Sequence, residues 1–211
     1  MNLLNFLFRH RSEVAELVLE HVWLVGVSTL LAVVVGLPLG VLLTRRPWLH
    51  KPILGSANVM QTVPSLALFG LLIPVPWLGE RADRLVIFAL TLYALLPIIR
   101  NTYAGLTGVD AAVVEAGRGM GMTDRQLLFQ VQLPLALGVI IAGVRVATVI
   151  SVGVATIAAA VGAGGLGEYI FRGLAMVNNQ LILAGAIPAA ALALVADISL
   201  GLIEKGLRPR P

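Results

Sequence analysis

Residues 22–43 contain no charged side chain. A helix rises about 1.5 Å per residue, so a hydrocarbon core of about 30 Å takes roughly 20 apolar residues to cross. In lipid such a run must bond its own backbone, which a helix does completely. Four further runs read the same way. Residues 53–73 carry Gln61, Thr62 and Pro64; residues 85–99 end at Arg100 and extend toward Tyr103. Residues 135–161 hold the single charge Arg145, and residues 181–203 the single charge Asp197. The prediction is an all-α membrane protein with five transmembrane helices, forming one transmembrane domain over residues 1–211. Composition agrees: 58% of residues are hydrophobic and 12% charged, against about 25% charged in soluble domains.

Several chemistries are excluded. There is no cysteine, so disulfides, thiol nucleophiles and thiolate-held metals are absent. His10, His21 and His50 match no metal spacing and read as solvated or interfacial; no metal is expected. No GxxxxGK[ST] phosphate loop occurs, so the chain is not expected to hydrolyse ATP or to be an enzyme. The net charge of +4 reflects loop asymmetry in a membrane protein and not nucleic-acid binding. Met1 to Phe8 is apolar, with no basic region before it and no small-residue cleavage site, so no cleavable leader is expected.

Arg45, Arg46 and Lys51 make the first loop basic, and Arg100, Arg118 and Arg125 do the same for the third. Lys205, Arg208 and Arg210 follow the last span. The loop after the second span is balanced by Glu80 and Asp83, and the fourth has Arg172 against Glu168. The positive-inside rule then puts loops one and three and the C-terminus in the cytoplasm, with the N-terminus outside. Residues 1–20 read as an interfacial helix. Arg9, Glu13, Glu16 and Glu20 form one stripe, and Leu7, Val14, Leu17 and Val18 lie away from it. No internal repeat is evident, which counts against an inverted-repeat secondary transporter.

The third loop, 100–134, does not read as a linker. Residues 110–117 suit a helix, and Gly117-Arg-Gly-Met-Gly121 suits a turn. A second helix over 123–131 is predicted with Thr123 as its N-cap and Gln126 completing a capping box. Pro134 then opens the next span. Two short helices on a cytoplasmic face suit docking to another protein.

Glu115-Ala116-Gly117, then Gly121, Val131, and Leu133-Pro134 resemble the Glu-Ala-Ala loop of ABC importer permeases. The spacing fits throughout, with Gly117 for the second alanine and Val131 for isoleucine. The resemblance implies the type I ABC importer permease core and a cytoplasmic coupling loop over 100–134. In it Glu115, Ala116, Gly117, Gly121, Leu133 and Pro134 couple to an ATPase. Gln61-Thr-Val-Pro-Ser65, Gly162-Ala-Gly-Gly-Leu-Gly167 and Leu183-Ala-Gly-Ala-Ile-Pro188 extend it to osmoprotectant permeases for glycine betaine, choline and carnitine. Implied partners are two ATP-binding subunits, a second permease chain (identical or paralogous), a separate extracytoplasmic substrate-binding protein and the lipid bilayer. This chain would bind no cofactor, ATP and Mg residing on the partner ATPase. The implied location is a bacterial or archaeal cytoplasmic membrane, with several passes. A type I permease for an amino acid such as methionine, or a secondary transporter or membrane assembly protein without an ATPase, are the rival readings.

Gln61, Thr62, Pro64 and Ser65 sit mid-span, where Pro64 frees a carbonyl. They line a translocation pathway or bond neighbouring helices; residue type does not separate the two. Arg145 and Asp197 are intramembrane charges that need a partner or water. They meet each other, line an inner vestibule, or snorkel separately to the interface. Gly162, Gly164 and Gly167 satisfy GxGxxG, but a spanning helix precedes them and Ile187 and Pro188 occupy the place of the expected acid. A flexible extracellular turn fits better than a nucleotide site. Trp23, Tyr93 and Tyr103 are too scattered to build an aromatic cage.

Overall fold

The computed structural model describes residues 3–207, and ten α-helices are found among them. Arg208 and Arg210, assigned to the cytoplasmic tail, lie outside the described residues, as does Met1. The helices are α1 (Leu3–Arg9), α2 (Arg11–Arg45), α3 (His50–Thr62), α4 (Ser65–Leu72), α5 (Ala82–Thr107), α6 (Ala111–Gly119), α7 (Asp124–Gln126), α8 (Leu133–Ala155), α9 (Gly167–Ala175) and α10 (Asn179–Leu207). A π-helical stretch, Leu127–Gln132, joins α7 to α8, so one helical shaft runs from Asp124 to Val161, 38 residues in all.

Among the described residues, four segments are long and apolar enough to cross a membrane: α2, α5, the Asp124–Val161 shaft and α10. They correspond to the first, third, fourth and fifth predicted spans. The second predicted span, 53–73, is not one helix but the pair α3 and α4, broken at Val63 and Pro64. A residue before proline is pushed out of the α region, and Val63 accordingly adopts φ −69°, ψ 126°. The N-terminal boundary also differs. Residues 11–20 are not part of a separate helix ending at 20 but the opening of α2, which continues unbroken to Arg45. The chain bends instead at His10.

The helix α5 is the centre of the structure, packed on α2, α3 and α8, while α10 lies outside against α8 and α9. More than half of the most apolar stretch of α5 is buried, against 22% of α10. The packing of α2 on α5 rests on small residues four apart. A Cβ at Gly36 would come 2.8 Å from Ile98 Cγ2, and one at Gly40 would come 2.5 Å from Thr102 Cβ. Close backbone approach of this kind replaces the hydrophobic drive that helices lack in lipid. The apolar side of the N-terminal segment (Leu7, Val14, Leu17 and Val18) packs with Leu166, Tyr169 and Leu181. Its acidic stripe reaches the same region: Glu13 pairs with Arg172 at 3.3 Å.

Candidate functional site

The third loop is built from local chemistry. Asp110 caps α6 by accepting from the Ala112 amide at 2.9 Å. The chain then turns through Gly121, whose φ of +82° L-residues avoid. Thr123 and Gln126 form the predicted capping box: Thr123 Oγ1 accepts from the Gln126 amide, and the Gln126 side chain accepts from the Thr123 amide at 2.8 Å.

Glu115, Ala116 and Gly121 are exposed, whereas Gly117 is buried. A Cβ at Gly117 would lie 2.6 Å from Leu127 Cδ1. Gly117 is therefore an internal contact between α6 and the shaft, not part of the outward face with Glu115 and Ala116. Arg45, at the end of α2, holds the start of the shaft: Nη1 pairs with Asp124 Oδ2 at 3.2 Å, and Nη2 donates to the Asp124 carbonyl at 3.0 Å.

The predicted second helix of this loop does not stop at Val131. It runs through the π turn into α8, so Leu133 and Pro134 are helical residues of the shaft and not part of the turn at Gly121. Pro134 cannot donate to an i−4 carbonyl, and its ring presses on the preceding turn. The π turn widens the helix there, and the Leu133 amide bonds back to the Leu128 carbonyl. The mechanical consequence is a continuous rod from Thr123 to the far end of the fourth span.

The mid-span residues come together. Gln61, Thr62, Pro64 and Ser65, with Val63, Tyr93, Ile150 and Val154, line one open cleft of about 370 Å³. The second alternative raised by the sequence is realised, since the same stretch bonds a neighbouring helix. Pro97 has no N–H for the Tyr93 carbonyl, and the Gln61 side-chain amide donates to that carbonyl at 2.9 Å. In return the Tyr93 hydroxyl donates to the Val63 carbonyl, exposed by the break at Pro64. Two proline defects on adjacent helices thus satisfy each other's carbonyls. Losing a hydrogen bond to a partly buried carbonyl costs about 0.5–1.5 kcal/mol. Gln61→Leu is expected to lower stability by that amount, and Tyr93→Phe to do likewise. Thermal unfolding of the singles and the double should show a non-additive cycle, since both act on one latch.

Arg145 and Asp197 are not in that cleft. They meet each other: Nε and Nη2 of Arg145 each donate to an Asp197 oxygen at 2.6 Å. Glu204, which the sequence reading passed over, completes a triad by accepting from Nη1 at 3.3 Å. Its position seven residues beyond Asp197 on one helix face was the available signal.

Two other features depart from expectation. His21 is neither solvated nor interfacial but fully buried, with Nε2 3.1 Å from the Val152 carbonyl. That carbonyl is free because the helix tightens after it, the Thr156 amide bonding to Gly153 and Val154. A carbonyl only accepts, so Nε2 carries the proton. The Gly162–Gly167 turn is not a flexible loop. Its Gly162, Gly164 and Gly165 have φ near +80°, and residues 164–167 are buried. The Gly165 amide donates to Glu20 at 2.9 Å.

Comparisons with known proteins fit this geometry. The chain is 41% identical over 212 residues to the osmoprotectant import permease protein OsmW of Salmonella typhimurium, covering 100% of this chain and 99% of that one. It is 44% identical to the carnitine transport permease protein OpuCB of Listeria monocytogenes, covering 90% and 86%. It is 40% identical to the choline transport system permease protein OpuBB of Bacillus subtilis, covering 99% and 94%. Among solved structures it superposes on an inward-facing conformation of the MetNI methionine ABC transporter with a TM-score of 0.83 and 25% identity, covering 93% of this chain and 96% of that one. Residues 32–209 match the model for binding-protein-dependent transport system inner membrane components, and with these relatives the chain belongs to that family, as a multi-pass membrane permease of an ABC importer.

Proposed function

We propose that this permease imports a quaternary-ammonium osmoprotectant of the glycine betaine, choline and carnitine class. In this reading a separate ATPase drives it through the exposed face at Glu115, Ala116 and Gly121. The observation that carries the reading is the unbroken shaft from the capping box at Thr123 into the fourth span. A push on α6 reaches the shaft through the Gly117–Leu127 contact. Two ATP-binding subunits, holding ATP and Mg, dock on two permease chains, and a binding protein delivers substrate from the other side. The shared substrate class of the relatives supports the cargo. The cleft at Pro64 offers a single aromatic ring, Tyr93, too few for a cage. High-affinity selection then resides in the binding protein, and the cleft, with Gln61, Thr62, Pro64 and Ser65, forms part of the pathway. The basic residues at 45, 46, 51, 118 and 125 support a cytoplasmic loop, a cytoplasmic C-terminus and an external N-terminus.

Gly121→Val tests the coupling reading. A β-branched residue resists φ of +82°, so the turn and the exposed face before it should be misplaced. The expected result is loss of ATP-dependent uptake in reconstituted vesicles, with weakened co-purification of the ATP-binding subunit. Unchanged uptake and association in Gly121→Val and Glu115→Gln would refute the docking face. Calorimetry of the partner binding protein with glycine betaine, carnitine and methionine tests the cargo; a preference for methionine would favour the amino-acid reading.

A further inference from the structure

An apolar cleft of about 490 Å³ lies where α2 passes the start of the shaft. Leu37, Val41 and Leu42 of α2 form one wall, and Leu128, Phe129 and Leu133 of the shaft form the other. Arg45 ends the α2 wall. From Leu37 to Arg45 a helix rises about 12 Å, and half of the hydrocarbon core measures about 15 Å. The cleft therefore spans most of one leaflet. Its mouth is at the end where the apolar run of α2 gives way to Arg45 and Arg46.

A second cleft, of about 440 Å³, adjoins the first at that mouth. Thr123, Arg125, Gln126 and Gln130 line it, and Phe129 lines both clefts. The Arg125 guanidinium lies 6.0 Å from the centre of the Phe129 ring. Gln126 commits its side-chain oxygen to Thr123, which leaves its amide N–H groups as donors. The neighbouring acid, Asp124, is paired with Arg45 at 3.2 Å. Those two charges offset each other, and Arg125 sets the sign of the mouth. Leu127 is buried and meets Gly117 of α6, whereas Phe129, two residues on, is exposed. The clefts are thus on the side of the shaft turned away from α6.

We propose that the two clefts hold one anionic phospholipid. An acyl chain lies beside Val41 and Leu42 in the apolar cleft. The phosphate sits at Arg125, with Gln126 and Gln130 donating to headgroup oxygens. An apolar slot of leaflet depth with a cationic, donor-lined mouth complements such a molecule at both ends, and a zwitterionic lipid lacks the matching net charge. That the leaflet is the cytoplasmic one rests on the orientation proposed above; the binding test does not depend on it.

The test uses the assembled transporter carrying Phe129→Trp, reconstituted in vesicles. The signal of Trp23, Trp48 and Trp77 is subtracted with the parent protein. Quenching of the new tryptophan by dibrominated phosphatidylglycerol is compared with quenching by dibrominated phosphatidylcholine. Phosphatidylglycerol should bind about fivefold more tightly, the weight of one basic side chain at an anionic lipid surface. Adding Arg125→Gln should bring that ratio to about one. Equal quenching by the two lipids without Arg125→Gln is ordinary lipid contact and overturns the proposal. Quenching by neither lipid means that another protein chain covers the cleft, and it overturns the proposal as well. So does a preference that survives Arg125→Gln. If Phe129→Trp fails to assemble, Leu42→Trp places the reporter on the opposite wall, with the same expected ratio and the same overturning results.

Discussion

Arg145→Met is expected to prevent accumulation of the assembled permease, cutting its level in membranes by at least several-fold. The substitution removes a cation that bonds two carboxylates, Asp197 and Glu204. It leaves Asp197 without that partner on a membrane-spanning helix, where an unpartnered charge is costlier than in water. Removing one member of a paired set is the damaging change; replacing the whole set by apolar residues is often neutral. The triple variant Arg145→Met, Asp197→Leu, Glu204→Leu should therefore recover assembly, while uptake remains lost if the triad has a part in movement. Quantitative immunoblotting of membranes and chromatography of the purified complex check both. Normal levels of the single variant would show that the two acids are satisfied without Arg145.

Gly40→Val is expected to lower stability by about 1–3 kcal/mol, the usual cost of overpacking a tight interface. The new Cβ would stand 2.5 Å from Thr102 Cβ and 3.1 Å from the Ile99 carbonyl. Neither neighbour is the free end of a flexible side chain, so α2 and α5 must separate. Gly26 is the control. Nothing lies within 4 Å of a Cβ there, and alanine removes the entropic penalty of a mid-helix glycine. Gly26→Ala should be neutral or stabilising by about 0.5–1 kcal/mol. Thermal unfolding of the two variants in one detergent should move in opposite directions or leave Gly26→Ala unmoved. A Gly40→Val variant as stable as its parent would mean that the helices slide freely past one another.

Much of this was legible along the chain because the information is local. The capping box needs only Thr123 and Gln126. The turn at Gly121 needs only a residue that tolerates positive φ, and α6 needs only Asp110 to cap it. The limits of reading appear where a residue's role depends on what packs beside it. Gly117 carries a motif position, which suggested an exposed contact, yet Leu127 folds back over it. The glycines at 162, 164 and 165 read as flexible, yet the turn they make is pinned under Glu20 across 145 residues of sequence. Pro64 read as a local defect in one span. The break is complete, and its carbonyl is repaired by Tyr93 on another helix.

The sequence alone shows that the chain crosses the membrane, which loops are basic, and where the third loop caps, turns and becomes a helix. Charge, apolar length and backbone preference act over a few residues and leave a mark that a reader can follow. Tertiary structure decided the partners. Gln61 finds the carbonyl orphaned by Pro97, His21 finds the one freed at Val152, and Arg145 takes Asp197 and Glu204 across 52 and 59 residues of chain. Each choice follows from which faces the helices bring together, and that depends on where small residues such as Gly40 let two backbones close.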